Sequence, residues 1–204
     1  MKSLWNSFKI AFSMFSKIPM PQAEWTEENM KYMLCFFPFI GTAIGIVLLA
    51  AVLVLASTSY GAKLSLMGIQ PSVVLVLVPM ILTGGIHIDG LLDTSDALSS
   101  WRDREKRLEI LKDSHAGAFA VITACVYFFV LFGTMMQITE VDDRPAMYLL
   151  ACGYMVSRCL SGLGVITLPK ANASGTVAEF SRKAEDKKVR NTLVIYLVIL
   201  ATVM

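Results

Sequence analysis

Three aspartates, Asp89, Asp93 and Asp96, stand at offsets i, i+4 and i+7 within residues 84–98, GGIHIDGLLDTSDAL. In a helix, at about 100° per residue, that spacing gathers the carboxylates into a fan of roughly 60°. The opposite face carries Leu91, Leu92 and Leu98, and no Lys or Arg is interleaved before Arg102. Three like charges on one stripe repel one another unless a cation neutralises them. Oxygen donors without a cysteine partner favour Mg2+, Mn2+ or Ca2+ over zinc. The chemistry open to such a set is metal-assisted work on a phosphate-bearing substrate. A solvated acidic helix face is the plainer reading, but ionisable groups at the edge of a long apolar run are functional by default.

Further residues could join this set. Glu109 and Asp113 are again four apart, among Arg102, Arg104, Lys106, Arg107 and Lys112. These charges read either as a salt-laced surface helix or as phosphate-binding bases beside acids that complete a metal shell. His87 and His115 flank the stretch, each open to a role as ligand, base or bystander. His87 lies two residues before Asp89, so in a helix the two side chains diverge, which weakens shared ligation. Arg158, inside an apolar run, requires a carboxylate or phosphate partner or a water-lined cavity. Residues 172–180, NASGTVAEF, offer Ser174 and Gly175, whose backbone could cradle phosphate; the stretch also reads as a plain interhelical loop.

The elements that must position these groups are membrane helices. Of 204 residues, 55% are hydrophobic and only 17% charged, a balance foreign to soluble domains of this size. Apolar stretches over 34–57, 66–86, 116–138 and 145–168 approach the roughly 17–25 residues that span a bilayer. The run over 192–204 is too short, and the native protein is expected to continue with more membrane helix. All four cysteines lie in apolar runs without ligand-like spacing, as small buried side chains do. Lys and Arg number four before the first span, five in the loop 87–115 and six over 170–190, against one in each intervening loop. The N-terminus and both charged loops are therefore expected on the cytoplasmic side. Leu4, Trp5, Phe8, Ala11, Phe12 and Phe15 recur at helical spacing flanked by Lys2, Lys9 and Lys17, predicting an amphipathic helix in the interface. The expected fold is an all-α polytopic membrane bundle forming one membrane domain, with Gly41 and Gly45 as a close-packing pair.

Residues 84–98 together with 107–117, RLEILKDSHAG, closely resemble the cobalamin synthase family, the membrane-bound adenosylcobinamide-GDP ribazoletransferases of bacterial vitamin B12 assembly. Residues 15–21 (FSKIPMP), 37–41 (FPFIG), Ser157 with Arg158, and Ser174 with Gly175 are similar to that family too. The resemblance implies that a ribose hydroxyl of α-ribazole, or of its 5′-phosphate, attacks the cobinamide-side phosphorus of adenosylcobinamide-GDP and releases GMP. It implies Mg2+ at Asp89, Asp93 and Asp96, with Glu109 and Asp113 as further ligands. An aspartate or His87 would take the hydroxyl proton, and Arg107, Lys112, Arg158, Ser174 and Gly175 would bind substrate. The implied setting is the bacterial inner membrane, with the site on the cytoplasmic side. Lipid is a partner, other cobalamin-assembly enzymes could dock on the basic loops, and no nucleic acid is expected.

Two other readings compete. A CDP-alcohol phosphotransferase shares the metal-assisted chemistry, but its D-x2-D-G-x2-A-R spacing does not match a glycine directly after the first aspartate. An ion transporter would set its acids near the midplane of several helices instead of in one charged loop.

Overall fold

A computed structural model describes residues 2–57, 69–113, 115–140, 144–170 and 175–204. Among the described residues every regular element is a helix: α1 (Lys2–Phe15), α2 (Glu27–Met30), α3 (Met33–Ser57), α4 (Ile69–Thr83), α5 (Ile86–Ser99), α6 (Arg104–Ile110), α7 (Ala118–Glu140), α8 (Arg144–Thr167), α9 (Thr176–Lys183) and α10 (Asp186–Val203). Within α3, α7 and α8, the stretches Met33–Leu55, Ala118–Thr139 and Pro145–Thr167 are long and apolar enough to cross a membrane. At 1.5 Å per residue each reaches about 33 Å, the thickness of a hydrocarbon core.

The second expected span differs. Part of it, 66–68, lies outside the described residues. The helix stops at Thr83 instead of running on to Ile86, and the chain turns by 91° into α5. Gly84 and Gly85 make this corner with φ of 64° and 78°, left-handed values that side chains resist. The Gly85 N–H donates to the Met80 carbonyl at 3.0 Å, closing α4. The Gly85 carbonyl in turn accepts from the N–H groups of Ile88 and Asp89, both at 2.9 Å, opening α5.

The chain forms two compact units, 1–53 with 144–204, and 54–143. In the first, Ile10, Met33, Leu34, Cys159, Phe180, Val189 and Leu193 build the core. The glycine pair of α3 meets α8 backbone directly: a Cβ on Gly45 would lie 2.7 Å from the Ala151 carbonyl oxygen, and one on Gly41 would overlap that of Tyr154. The expected N-terminal helix is present, but its stripe is divided. Ala11 and Phe12 are buried, while Leu4 and Trp5 stay exposed, Trp5 stacking on Phe8 at 5.2 Å. Lys9, expected to flank the stripe, is instead buried and donates from Nζ to the Gln22 carbonyl at 3.1 Å. The run expected over 192–204 is the apolar part of α10, which starts earlier on a charged turn at Asp186.

A charged knot ties the start of α3 to that of α10. Glu185 accepts from Lys31 at 3.0 Å, Lys188 at 2.9 Å and the Tyr32 hydroxyl at 2.9 Å. These bonds, Lys188 first, then Lys31 and Tyr32, pull the Glu185 carboxyl down from 4.5 to about 2. A depressed carboxylate contributes stability above its unfolded pKa and loses it as pH falls through the folded one. Protection of the α10 N-terminal amides, taken relative to the intrinsic exchange rate at each pH, is therefore expected to fall between pH 4.5 and about 2 in the wild type. In Glu185→Gln that step should vanish; an identical acid profile would refute the contribution.

The second unit holds α4 to α7. Buried Ser72 and Thr139 hydroxyls bond at 2.9 Å where α4 meets α7. Ala97 is buried on α5, and the Ser95 and Thr123 hydroxyls pair at 2.5 Å where α5 meets α7.

Candidate active site

The 91° corner lays α5 across the axis of α4, and α5 presents the acidic stripe. Asp89 is exposed and Asp93 half-buried, one turn apart. Neither carboxylate makes a hydrogen bond or ion pair among the described residues. Burial, followed by the charges of Asp89 and Asp96, pushes the Asp93 carboxyl above its usual range. A cation between these groups would relieve that repulsion. His87 is exposed on the first turn of the same helix.

Asp96 has a different surrounding. Its Oδ2 accepts from the Gly117 N–H at 2.6 Å and its Oδ1 from the Ala120 N–H at 2.9 Å. The carboxylate thus closes the N-terminus of α7 from a neighbouring helix. Sequence reasoning assigns Gly117 no part in this. The available signal was the start of α7 itself, an apolar helix opening on Gly117 with no acid in its first turn.

The remaining acids do not join the stripe. Helix α6, capped by the Asp103 carboxylate accepting from the Lys106 N–H at 2.9 Å, ends at Ile110. Glu109 and Asp113 therefore do not share a helix face. Glu109 pairs with Lys106, while Asp113 Oδ1 faces His115 Nδ1 at 2.7 Å and accepts from the His115 N–H at 3.0 Å. Those His115 hydrogen bonds hold the Asp113 carboxyl below its usual range. Arg107 is half-buried and its Nε, shielded from solvent, has no hydrogen-bond partner among the described residues. Lys112 is exposed.

Arg158 belongs to the other unit. It is buried in α8, with Nη1 donating to the Ser157 hydroxyl at 3.0 Å and its guanidinium 5.6 Å from the Tyr154 ring centre. Gly175 precedes α9 in extended conformation, its carbonyl accepting from the Glu179 N–H at 3.0 Å. Ser174 lies outside the described residues.

Among the described residues no three His, Cys, Asp or Glu side chains are grouped so that they could hold a metal ion. Asp89 and Asp93 offer oxygen donors only, the donor chemistry that Mg2+ takes where it is held by one or two carboxylates plus water and substrate phosphate.

The family model described as cobalamin-5-phosphate synthase matches residues 7–204. An adenosylcobinamide-GDP ribazoletransferase from Lachnoclostridium phytofermentans is 44% identical over 95% of this chain and 70% of its own length. Enzymes of the same name from Clostridium botulinum strain Eklund 17B and Clostridium perfringens strain SM101 are 33% and 34% identical, over 97% and 92% of this chain and 75% and 71% of their own lengths. No solved structure gives a significant match. The chain belongs to the cobalamin-5-phosphate synthase family, and is a transferase of cobalamin nucleotide-loop assembly.

Proposed function

We propose that the protein transfers the adenosylcobinamide-phosphate group of adenosylcobinamide-GDP to a ribose hydroxyl of α-ribazole or its 5′-phosphate, releasing GMP. The observation that carries this reading is the carboxylate pair of exposed Asp89 and half-buried Asp93, set one turn apart directly after the double-glycine corner in a chain of this family. A new oxygen–phosphorus bond forms at the cobinamide-side phosphorus while its bond to the GMP oxygen breaks. Asp89 and Asp93 would hold Mg2+, which when bound neutralises charge on the bridging and leaving oxygens. Because phosphoryl transfer passes through a loose transition state, positioning and electrostatics matter more than a strong base. The hydroxyl proton then passes to His87 or to an aspartate of the stripe. Arg107, with donor capacity to spare, and exposed Lys112 bind pyrophosphate oxygens. Glu109 and Asp113 pair instead with Lys106 and His115. Arg158, Ser174 and Gly175 are further candidates for substrate binding, as the family resemblance implies.

The setting is the bacterial inner membrane, with the N-terminus and the loops 87–115 and 170–190 in the cytoplasm. The alternation of four, five and six basic residues against single ones supports that orientation. GMP release from adenosylcobinamide-GDP and α-ribazole, by protein in liposomes, tests the reaction. Release with Mg2+ and none with EDTA is expected. GMP release undiminished by EDTA would remove the metal, and no release from folded protein would remove the reaction.

A further inference from the structure

We propose that Asp96 is a positioning residue, distinct from the two aspartates before it: seated on the N-terminus of α7 in a gap that only glycine at 117 leaves open, it sets the orientation of α5 and so of Asp89 and Asp93. The inference rests on the reading of those two as the ion-holding pair. Both oxygens of Asp96 are engaged by backbone donors, Gly117 N–H at 2.6 Å and Ala120 N–H at 2.9 Å. Donors at a helix N-terminus lack intrahelical acceptors, and a carboxylate there also meets the positive end of the helix dipole. No side chain of α7's own first turn supplies that service, since the turn contains no acid and opens on glycine.

The seat is shaped as well as charged. A Cβ at position 117 would lie 2.7 and 2.8 Å from the Asp96 oxygens and 2.9 Å from its Cγ, so a side chain there forces the carboxylate to shift. The Ser95–Thr123 hydroxyl pair and buried Ala97 lie on either side of Asp96 in the same helix. Asp93 lies three residues before Asp96 on the same helix, so a roll that unseats one re-aims the other. The seat also joins two stretches that the sequence keeps apart, 84–98 and 107–117, giving each a reason to require the other.

Asp96→Asn keeps an acceptor oxygen but loses the charge, whereas Gly117→Ala keeps every carboxylate and removes only the seat. Both, and the double variant, are compared with Asp93→Asn by titrating Mg2+ in the GMP assay. Amide exchange at residues 117–121 is followed in parallel. Expected for Asp96→Asn and Gly117→Ala is a fall in kcat of about ten-fold, the scale of a sub-ångström misplacement. Half-saturating Mg2+ and substrate KM should stay within about two-fold, and the double variant should be no worse than Gly117→Ala, as for residues acting as a unit. Exchange at 117–121 should rise in both. If Asp96→Asn instead raises half-saturating Mg2+ as Asp93→Asn does while Gly117→Ala retains wild-type kcat, Asp96 is a ligand and the proposal falls. Unchanged kcat in both variants ends it equally. Should the wild type release no GMP, the reaction reading fails separately, and the exchange still decides whether Asp96 protects the start of α7.

Discussion

Asp89→Ala and Asp93→Ala are each expected to lower GMP release by about 100-fold or more, the scale of losing one preorganised electrostatic stabiliser of transition-state charge. The size of the effect follows from what these carboxylates do not do in the folded chain. Asp89 is exposed, Asp93 is half-buried, and neither accepts a hydrogen bond among the described residues. Removing either one therefore leaves no orphaned donor, and α5 keeps its corner at Gly84 and Gly85 and its contacts at Ser95 and Ala97. Relief of like-charge repulsion should even steady the apo helix slightly. An activity loss without a stability loss is thus the signature expected of this pair. Wild-type turnover in both variants would show that the ion, if required, is held elsewhere. Loss of activity accompanied by unfolding would instead give these residues a structural role that their surroundings do not suggest.

The long spans and the acidic stripe are legible in sequence because each depends on a local period. Uninterrupted apolar residues over about 23 positions can only be a helix in lipid, and i, i+4, i+7 carboxylates share a face wherever that helix lies. The corner at Gly84 and Gly85 is half legible. Paired glycines mark a break, but the 91° that removes α5 from the line of α4 is a property of their positive φ values, which no residue count encodes. Least legible is the division of labour within the stripe. Asp93 and Asp96 differ by nothing in sequence; they differ because α7 begins beside one of them, at a glycine 21 residues further on. The reading of Glu109 and Asp113 as neighbours on one face likewise depends on α6 continuing past Ile110, and it does not. Arg158 is legible as a cation inside an apolar run, whereas the Ser157 hydroxyl and the Tyr154 ring beside it are set by the fold.

The largest effect on stability is expected from the smallest change in α3, Gly41→Ala. A Cβ there would overlap the Tyr154 carbonyl and lie 2.7 Å from Met155 Cα, and the obstructing atoms are helix backbone that cannot rotate away. The two helices must separate, and the contact of the neighbouring Gly45 with Ala151 is lost with them. In a bilayer the helices gain nothing from expelling water, so close packing between small residues carries much of their association. The cost should reach the upper part of the overpacking range, about 1–3 kcal/mol. Gly153→Ala provides the contrast within α8, because a Cβ there meets nothing within 4 Å. It should be neutral, or stabilising by up to about 1 kcal/mol through helix propensity. Unfolding midpoints in mixed detergent micelles separate the two: a drop for Gly41→Ala beside an unchanged or raised value for Gly153→Ala is the expected pattern. Equal midpoints would mean that α3 and α8 do not approach backbone to backbone at this point.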